Sequence, residues 1–402
     1  MSLKIINIGQ LATFNPETGK VERSAGVEVE CENGLITSVG LDLPPADKEL
    51  DAEGALVTPG FVDCHTHPIF AASRAEEFSQ RVAGKTYQEI AADAGGIMSS
   101  VRSFREMDEV QLVEAVKRRM ERFLSLGTTT VEAKSGYGLS TESELKSLSV
   151  LSSVAEEVEV DIIPTFLGAH DFPEEFSDNK EAYIDLICQE MIPAVAEQAV
   201  AEFCDVFCED GWFDVSSSRR ILTAAREYGM KLRLHADEFK DSGAASLAAE
   251  LKVSSADHLM HVSEEAISDM AQAGVVATLL PGTTFFLGKS AYAPARRFIK
   301  AGVEVAVATD YNPGSSMIQS MPFVMSLACL YMGMTVTEAF SSATYGAAKS
   351  LGREDVLGSI LPGKQADIIL WNINSLEEIP YYIADNRVRS VIKKGKLVHG
   401  SQ

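Results

Sequence analysis

The sequence predicts an α/β protein in which a (β/α)8 barrel of the TIM type carries a small β-sandwich built from both termini. Two observations support this fold class. Eight short apolar runs alternate with amphipathic stretches through the middle of the chain, and both ends show the alternation typical of half-buried strands. The length of 402 residues suits a large barrel with a minor domain rather than one small core. We expect the sandwich in residues 1–56 and 354–402 and the barrel in residues 57–353.

Each end of the chain contains a hairpin pattern. Residues 27–31 alternate with period two, and the Asn-Gly pair at residues 33–34 predicts a tight turn into residues 35–40. Near the other end, residues 366–372 form an apolar run, and a Lys-Gly-Lys turn interrupts a second run at residues 388–398. Because the two ends mirror each other, we expect them to build one sandwich together.

The eight apolar runs in the middle of the chain are the predicted barrel strands: residues 55–64, 128–133, 160–167, 201–208, 231–235, 254–258, 275–280 and 303–309. Residues 112–120 show helical spacing, residues 141–144 predict a capping box, and residues 323–332 predict a buried helix after the last strand. In a barrel of parallel strands, catalytic residues sit at the C-terminal ends of the strands. The polar residues that follow these runs are therefore the informative ones.

Composition excludes several classes of function. A hydrophobic content of 46% with 23% charged residues is typical of a soluble globular protein. The formal charge of −23 argues against nucleic acid and anionic membranes as partners. No apolar run is long enough for a membrane span and no signal peptide is recognisable, so we expect a cytoplasmic protein whose six cysteines are free thiols. An anionic substrate would need a local arginine to overcome the overall charge.

Histidines gather at the predicted strand ends. His65 and His67 lie two apart in an extended segment, so their side chains point to one face. His235 ends the fifth run and Asp310 follows the eighth. Three imidazoles and one carboxylate predict a site for one divalent ion with an open position for water, whose pKa falls to about 7 on zinc. The alternatives are ordinary packing for the two histidines and a helix N-cap for Asp310.

Glu238 lies three residues after His235, close enough to reach the predicted ion's surroundings without being a ligand. A free carboxylate beside an activated water can accept its proton and later pass it to a leaving nitrogen. The alternative for Glu238 is an acid at a helix start or a surface ion pair. Residues 207–209, at the end of the fourth run, contain no lysine that could bridge a second ion, so we expect one ion per chain.

Several segments carry a resemblance to a known family: residues 60–67 (GFVDCHTH), 67–78, 134–139, 165–170, 235–238, 255–259 and 308–315. With a histidine on the fifth and sixth runs and an aspartate after the eighth, they resemble the amidohydrolase superfamily. Within it, they are most similar to the imidazolonepropionase family, the cyclic amidases of histidine degradation. The resemblance covers nearly the whole predicted barrel.

This resemblance implies hydrolysis of the ring amide of 4-imidazolone-5-propanoate to N-formimino-L-glutamate. It implies a zinc or iron ion held by His65, His67, His235 and Asp310, and catalytic roles for Glu238, His258 and Asp310. Glu238 would be the general base and acid, and His258 would polarise the substrate carbonyl or steady the oxyanion. The positions that match substrate-binding residues are Arg74, Tyr87, Tyr137, His170, Asn312, Gly314 and Ser315. The resemblance also suggests a homodimer.

Physical chemistry supports Arg74 independently, because an arginine fork can pair a propionate carboxylate bidentately. The alternative for Arg74 is an ion pair with Glu76 or Glu77, and for Tyr87 and Tyr137 it is plain packing. Two rival functions stay open. A deaminase of a nucleobase-like ring would use the same metal ligands, whereas a non-catalytic scaffold should have lost some of them, and none is missing here.

Overall fold

The computed structural model describes residues 2–85 and 95–400, and the strands within these ranges form three sheets. In chain order the strands are β1 (Ser2–Ile6), β2 (Gln10–Asn15), β3 (Lys20–Ser24), β4 (Glu28–Glu32), β5 (Leu35–Gly40), β6 (Lys48–Asp51), β7 (Leu56–Pro59), β8 (Phe61–Asp63), β9 (Thr128–Lys134), β10 (Asp161–Ala169), β11 (Phe203–Cys208), β12 (Lys231–Ala236), β13 (Ser255–His258), β14 (Val276–Leu279), β15 (Val305–Val307), β16 (Ile368–Trp371), β17 (Val388–Lys393) and β18 (Lys396–His399).

Strands β8 to β15 form one parallel sheet in sequence order, and nearly every residue in them is buried. Such continuous burial is expected when helices cover a parallel sheet. The two outer strands meet just beyond their last residues: the backbone N–H of Asp310 donates to His65 O at 3.0 Å, and that of His67 donates to Tyr311 O at 2.9 Å. The predicted fold class, a (β/α)8 barrel with a terminal β-sandwich, is confirmed, and the seam that closes the barrel carries three of the predicted metal ligands.

The other two sheets are built from the chain ends. One has the strand order β5-β4-β1-β6, and the other joins both termini in the order β18-β17-β16-β7-β2-β3. Strands β7 and β16 pair antiparallel, with Val57 opposite Leu370. Apolar residues from both ends, such as Ile5, Val29 and Ile392, fill the core between the sheets. Both predicted hairpins are present, as β4–β5 and β17–β18.

Residues 55–64, treated as one run in the sequence, form two strands. Leu56–Pro59 is β7 of the terminal sheet, whereas Phe61–Asp63 is β8 of the barrel. Gly60 stands between them and packs against Thr129, where a β-carbon would approach the side-chain oxygen to 2.4 Å. Only glycine permits this close approach, which lets the chain turn from one sheet into the other.

The α-helices of the described residues are Ala75–Val82, Ile97–Glu106, Glu109–Ser125, Thr141–Glu157, Lys180–Leu186, Ile192–Gln198, Val215–Glu227, Ala244–Leu251, Glu264–Ala273, Pro281–Phe286, Ala295–Ala301, Met321–Tyr331, Val336–Ala343, Tyr345–Ser350 and Glu378–Tyr381. Ala75–Val82 is called α1 below. The helices predicted around residues 112–120 and 323–332 are present. Within residues 2–85 and 95–400, no helix combines the length and apolarity that a membrane crossing requires.

The predicted capping box at residues 141–144 is wrong. Ser140 is the N-cap, and its side chain accepts from the backbone N–H of Ser143. The carboxylate of Glu144 is buried and turns away from the cap, accepting backbone N–H groups of Gly136, Gly138 and Leu139 at 2.8–3.0 Å. The pattern gave the right start of the helix, but Glu144 holds the preceding loop, which lines the site described next.

Candidate active site

Three predicted metal ligands converge at the seam of the barrel. The two Nε2 atoms of His65 and His67 lie 3.3 Å apart, and Asp310 Oδ1 lies 3.7 Å and 3.4 Å from them. The fourth predicted ligand, His235 at the end of β12, has its ring centroid 4.6 Å from that of His65. All four side chains are buried. The structure therefore brings the whole predicted ligand set to one point.

Hydrogen bonds fix which nitrogen of two histidines faces this point. His65 Nδ1 lies 2.6 Å from Asp257 Oδ2, and His235 Nδ1 lies 3.1 Å from Asp205 Oδ1. A carboxylate accepts from the Nδ1–H, so each Nε2 keeps its lone pair. The Nε2 of His235 is buried and has no hydrogen-bond partner among the described residues, an arrangement that is costly unless a cation binds there.

The protonation states of His65 and His67 also suit a cation. Burial lowers the pKa of His65 and of His67 well below the usual value, so both are neutral at pH 7. Burial disfavours a charged His235 too, but Asp205 outweighs this and raises its pKa. Neutral imidazoles with one carboxylate are the donor set of mononuclear zinc and iron sites. The residues present therefore fit one divalent ion.

Two buried cations support the carboxylates behind the histidines. Lys134 Nζ lies 2.7 Å from both Glu132 Oε1 and Asp205 Oδ2. Arg233 Nη2 lies 3.1 Å from Asp257 Oδ2. Although burial opposes it, His235 and Lys134 hold the pKa of Asp205 well below its usual range. A buried carboxylate needs such partners to stay ionised, so these pairs hold the histidines in place.

Sequence reasoning missed this supporting network. The signal that could have found it is the charged residue inside an apolar strand run, namely Glu132, Lys134, Asp205 and Arg233. A charge in a strand that is buried on both faces must have a partner. The four lie on β9, β11 and β12, so Lys134 reaches Asp205 across the intervening strand β10.

Glu238 and His258 flank the cluster. His258 Nε2 lies 3.6 Å from Glu238 Oε2; His258 is buried, and Glu238 is largely but not fully covered in the pocket wall. Burial, with a contribution from Asp310, raises the pKa of Glu238 to about 7, and burial lowers the pKa of His258 to about 3. His258 also has a ring nitrogen within 4.8 Å of donor atoms of His65 and His235, so it lies within reach of the same cation.

Backbone conformation is strained at two of these positions. Asp310 has φ 51° and His258 has φ 75°, in the left-handed region that side chains other than glycine rarely adopt. Such strain concentrates where the surroundings force a side chain into a functional direction. Here both residues directly follow or end a barrel strand, and the left-handed turn aims each side chain into the pocket.

The cluster forms the floor of a cavity of about 480 Å³. Every substrate-binding residue predicted from the sequence lines it except Tyr87, which lies outside the described residues; the others are Arg74, Tyr137, His170, Asn312, Gly314 and Ser315. The wall also contains residues that sequence reasoning did not single out, including Arg81, Phe207, Trp212, Phe239 and Lys289. The cavity is thus polar at the floor and aromatic along one side.

Arg74 forms an ion pair with Glu77, which is the alternative role that the sequence suggested for it. Its Nε and Nη2 donate to one oxygen of Glu77 at 2.8 and 2.5 Å, while the side chain still lines the cavity. Gly314 packs directly against Arg74: a β-carbon at Gly314 would come within 2.4 Å of Arg74 Nη1. The arginine is therefore held between α1 and the loop after β15, with Nη1 on the glycine side.

Tyr137 and His170 form the wall beside His67. The His170 ring stacks on His67 with centroids 5.2 Å apart, and Tyr137 lies 5.5 Å from His170. His170 Nδ1–H donates to Gly136 O at 2.9 Å. Tyr137 is a buried residue of the loop after β9, so the loop placement favoured by its glycine neighbours agrees with the structure.

The loop after β15 is organised by Asn312. Its Oδ1 accepts from the backbone N–H groups of Gly314 and Ser315, and its Nδ2 donates to Asp310 O. These bonds fold residues 312–315 into a tight turn at the cavity wall. The Asn312 side chain thus shapes the loop, and Gly314 and Ser315 line the cavity.

Comparisons with known proteins agree with this geometry. Residues 56–398 match the model of the amidohydrolase family. The imidazolonepropionase of Symbiobacterium thermophilum is 44% identical, over 99% of this chain and 97% of its own, and that of Geobacillus kaustophilus is 48% identical, over 91% and 88%.

Solved structures show the same fold at low identity. A triazine hydrolase variant superposes with a TM-score of 0.76 at 16% identity, covering 99% of this chain and 95% of its own. An adenosine deaminase from Xanthomonas campestris with bound zinc has a TM-score of 0.75 at 19% identity, covering 98% and 92%. The amidohydrolase family is metal-dependent, and the chain has a histidine and aspartate group able to hold a metal. This chain belongs to the amidohydrolase family, and within it to the imidazolonepropionases.

Proposed function

We propose that this chain hydrolyses the ring amide of 4-imidazolone-5-propanoate to N-formimino-L-glutamate, a step of histidine degradation. The observation that carries the proposal is the likeness to imidazolonepropionases over nearly the full length of both chains. The cavity supports it, because the metal-ligand cluster, a carboxyl with a raised pKa and an arginine line one space of suitable size.

The cofactor in this proposal is one divalent ion, zinc or iron, held by His65, His67, His235 and Asp310. Imidazole and carboxylate ligands suit both metals. When bound, the ion would polarise the ring carbonyl and lower the pKa of a coordinated water. The chain's own contribution at this point is orientation: Asp257 and Asp205 hold His65 and His235 with the correct nitrogen inward.

Glu238 is the proton carrier of the proposed reaction. Its pKa of about 7 leaves it partly ionised at neutral pH, so it can take a proton from the attacking water. It then passes this proton to the ring nitrogen as the amide bond breaks.

His258 is the proposed partner of the carbonyl oxygen. Burial keeps it neutral, so one ring nitrogen carries a hydrogen that can be donated to the negative charge developing on that oxygen. Its strained backbone at φ 75° fixes the direction of the ring. Preorganised donors of this kind act without reorganisation during the reaction.

The substrate in this proposal is a small anion with a propionate chain. At the mouth of the cavity, which is formed by α1 and residues 312–315, Arg74 would pair with the carboxylate of the substrate. Tyr137 and His170 would pack against the substrate's ring. Residues 312–315 would lie beside the propionate, because Gly314 packs against Arg74. A chain with a formal charge of −23 needs a local cation to retain such an anion.

A substrate panel tests the function. Metal-replete protein is incubated separately with 4-imidazolone-5-propanoate and with nucleobase-like rings, and both ring loss and ammonia release are recorded. The proposal expects loss of the imidazolone with formation of formiminoglutamate and no ammonia. Ammonia release from a nucleobase-like ring, with no turnover of the imidazolone, would establish the deaminase instead.

A further inference from the structure

We propose that Arg81 is a second arginine of the carboxylate subsite and donates to the propionate of the substrate beside Arg74. The inference rests on the proposed function, since it assigns a residue to one end of that substrate. It concerns the mouth of the cavity, where Arg81 and Arg74 both line the wall.

Arg74 alone is a weak anion receptor in this structure. Two of its N–H donor positions, Nε and Nη2, are engaged by the same oxygen of Glu77. The Arg74–Glu77 pair has no net charge, and the remaining nitrogen of Arg74, Nη1, packs beside Gly314. In a chain with a large negative charge, a neutralised arginine offers an incoming carboxylate a hydrogen bond but little electrostatic attraction.

Arg81 supplies the donor that Arg74 lacks. It lies in the last turn of α1, seven residues after Arg74, which is the N-cap of the same helix. Its Nη1 donates to Gly314 O at 3.3 Å. Its Nη2 is buried and has no hydrogen-bond partner within the described residues. An unpaired buried guanidinium N–H is costly, and a carboxylate is the partner that matches it best.

The two guanidiniums meet at one residue. Gly314 receives the Arg81 hydrogen bond on its carbonyl oxygen, and Arg74 Nη1 packs where its side chain would be. Burial is the largest cause that lowers the pKa of Arg81, and the positive charge of Arg74 lowers it further. The two guanidinium groups are therefore close to each other. Two cations converging on one glycine form a receptor for one carboxylate.

Aromatic packing holds Arg81 in position. Its guanidinium carbon lies 5.6 Å from the ring centroid of Phe78 and 5.3 Å from that of Phe286. These contacts limit the rotamers of a long side chain, so little entropy is lost when it binds an anion. Lys289, the other cation of the wall, packs over Phe239 instead.

The test compares a carboxylated substrate with its neutral form. Steady-state kinetics are measured for the wild type, Arg81→Gln and Arg81→Lys with 4-imidazolone-5-propanoate and with its propanamide. We expect Arg81→Gln to raise KM for the carboxylate at least about 10-fold, with kcat little changed and the amide unaffected. Arg81→Lys should recover part of this loss. The control is Arg118→Gln, an exposed arginine whose variant should behave as the wild type.

Two kinetic outcomes overturn the proposal: an unchanged KM for the carboxylate in Arg81→Gln, or an equal loss for carboxylate and amide, which would mean a structural role.

A binding measurement tests the carboxylate subsite separately from the proposed reaction. Calorimetric titration of wild type and Arg81→Gln with 3-(imidazol-4-yl)propanoate and its amide requires no turnover. If the wild type prefers the carboxylate and the variant does not, the subsite stands even where the imidazolone is not hydrolysed. No preference in the wild type refutes it.

Discussion

The floor and the mouth of the cavity are built in different ways. The floor consists of side chains at the ends of barrel strands, such as His65, His235 and Asp310, and buried charges on other barrel strands hold two of them. The mouth consists of α1 and the loop of residues 312–315, where Arg74 pairs with Glu77 in its own segment and Arg81 donates across to Gly314 O. The floor is therefore fixed by the register of the whole barrel, whereas the mouth is fixed by two short segments.

This difference suggests that the floor and the mouth have different roles. A floor held by buried ion pairs is rigid, because each side chain that moves leaves a charge unpaired in a dry environment. A mouth made from a helix and a turn can be changed with little effect on the barrel. We expect changes at the floor to abolish chemistry or metal binding and changes at the mouth to alter substrate affinity.

The largest effect is expected at Glu238. Glu238→Gln removes the proton carrier while keeping the shape of the side chain, so kcat should fall by at least about 10²-fold. Steady-state turnover of 4-imidazolone-5-propanoate measures it, with the exposed acid change Glu264→Gln as the control. Near-normal turnover of Glu238→Gln would remove Glu238 from the chemistry.

The next effect concerns metal affinity at the floor. Asp205→Asn removes the carboxylate charge that pairs with His235 Nδ1 and with Lys134. The variant should therefore bind zinc about 10–100-fold more weakly. A competition titration of the metal-free protein with a coloured chelator measures this directly. Asp42→Asn, an exposed change on a surface loop, is the control. Equal affinities in the two variants would show that the network does not support the ligands.

The acid limb of the pH profile should come from Glu238. Burial raises its pKa to about 7, and a base must be ionised to act, so kcat/KM should fall as pH drops through this pKa, by about tenfold per unit below it. A bound cation would move the midpoint to lower pH without changing the sign. A profile measured from pH 5 to 9 that stays flat on the acid side contradicts the assignment.

At the mouth, Arg74→Ala should raise KM about 10-fold and change kcat little. The same variant leaves Glu77 without its partner near the anion, which adds to the loss. If KM for the carboxylated substrate is unchanged in a steady-state assay, Arg74 has no role in binding. A fall in kcat as large as that of Glu238→Gln would instead show that mouth and floor are coupled.

The smallest effect is expected for Gly314→Ala. The added carbon would meet Arg74 Nη1 at 2.4 Å, so the arginine must shift by about an ångström. We expect a KM increase of a few-fold, about 2 to 5 times, with kcat little changed. Ser315→Ala, in the same loop, adds no bulk and serves as the control. A larger effect for Ser315→Ala would show that loop hydrogen bonding, not the position of Arg74, matters here.

The sequence was most informative about the floor. Strand runs and the two-residue spacing of His65 and His67 place ligands by periodicity, and the structure brings all four predicted ligands together. The partners Lys134 and Arg233 were missed because periodicity says which face a residue takes, not which neighbour it meets. Pairing between strands depends on barrel register, and a single run of sequence does not reveal it.

The mouth was harder to predict. Arg74 was found through a resemblance and a charge argument, and its local pairing with Glu77 was one of the two alternatives considered, but the position of Arg81 depends on where α1 docks against residues 312–315. Those two segments are more than 200 residues apart in the chain, and no local pattern links them. The wrong capping box has a related cause, because Glu144 is bound by a loop rather than by its own helix end.

Metal content of purified protein tests the central claim most directly. After metal-replete growth, elemental analysis should give about one zinc or iron per chain in the wild type and in His261→Ala, an exposed histidine outside the cluster. His235→Ala should retain far less than half an ion per chain, because the cluster loses the ligand whose Nε2 has no hydrogen-bond partner in the part of the chain that the structure describes. A metal-free wild type, or a His235→Ala protein with a full complement of metal, would contradict the account.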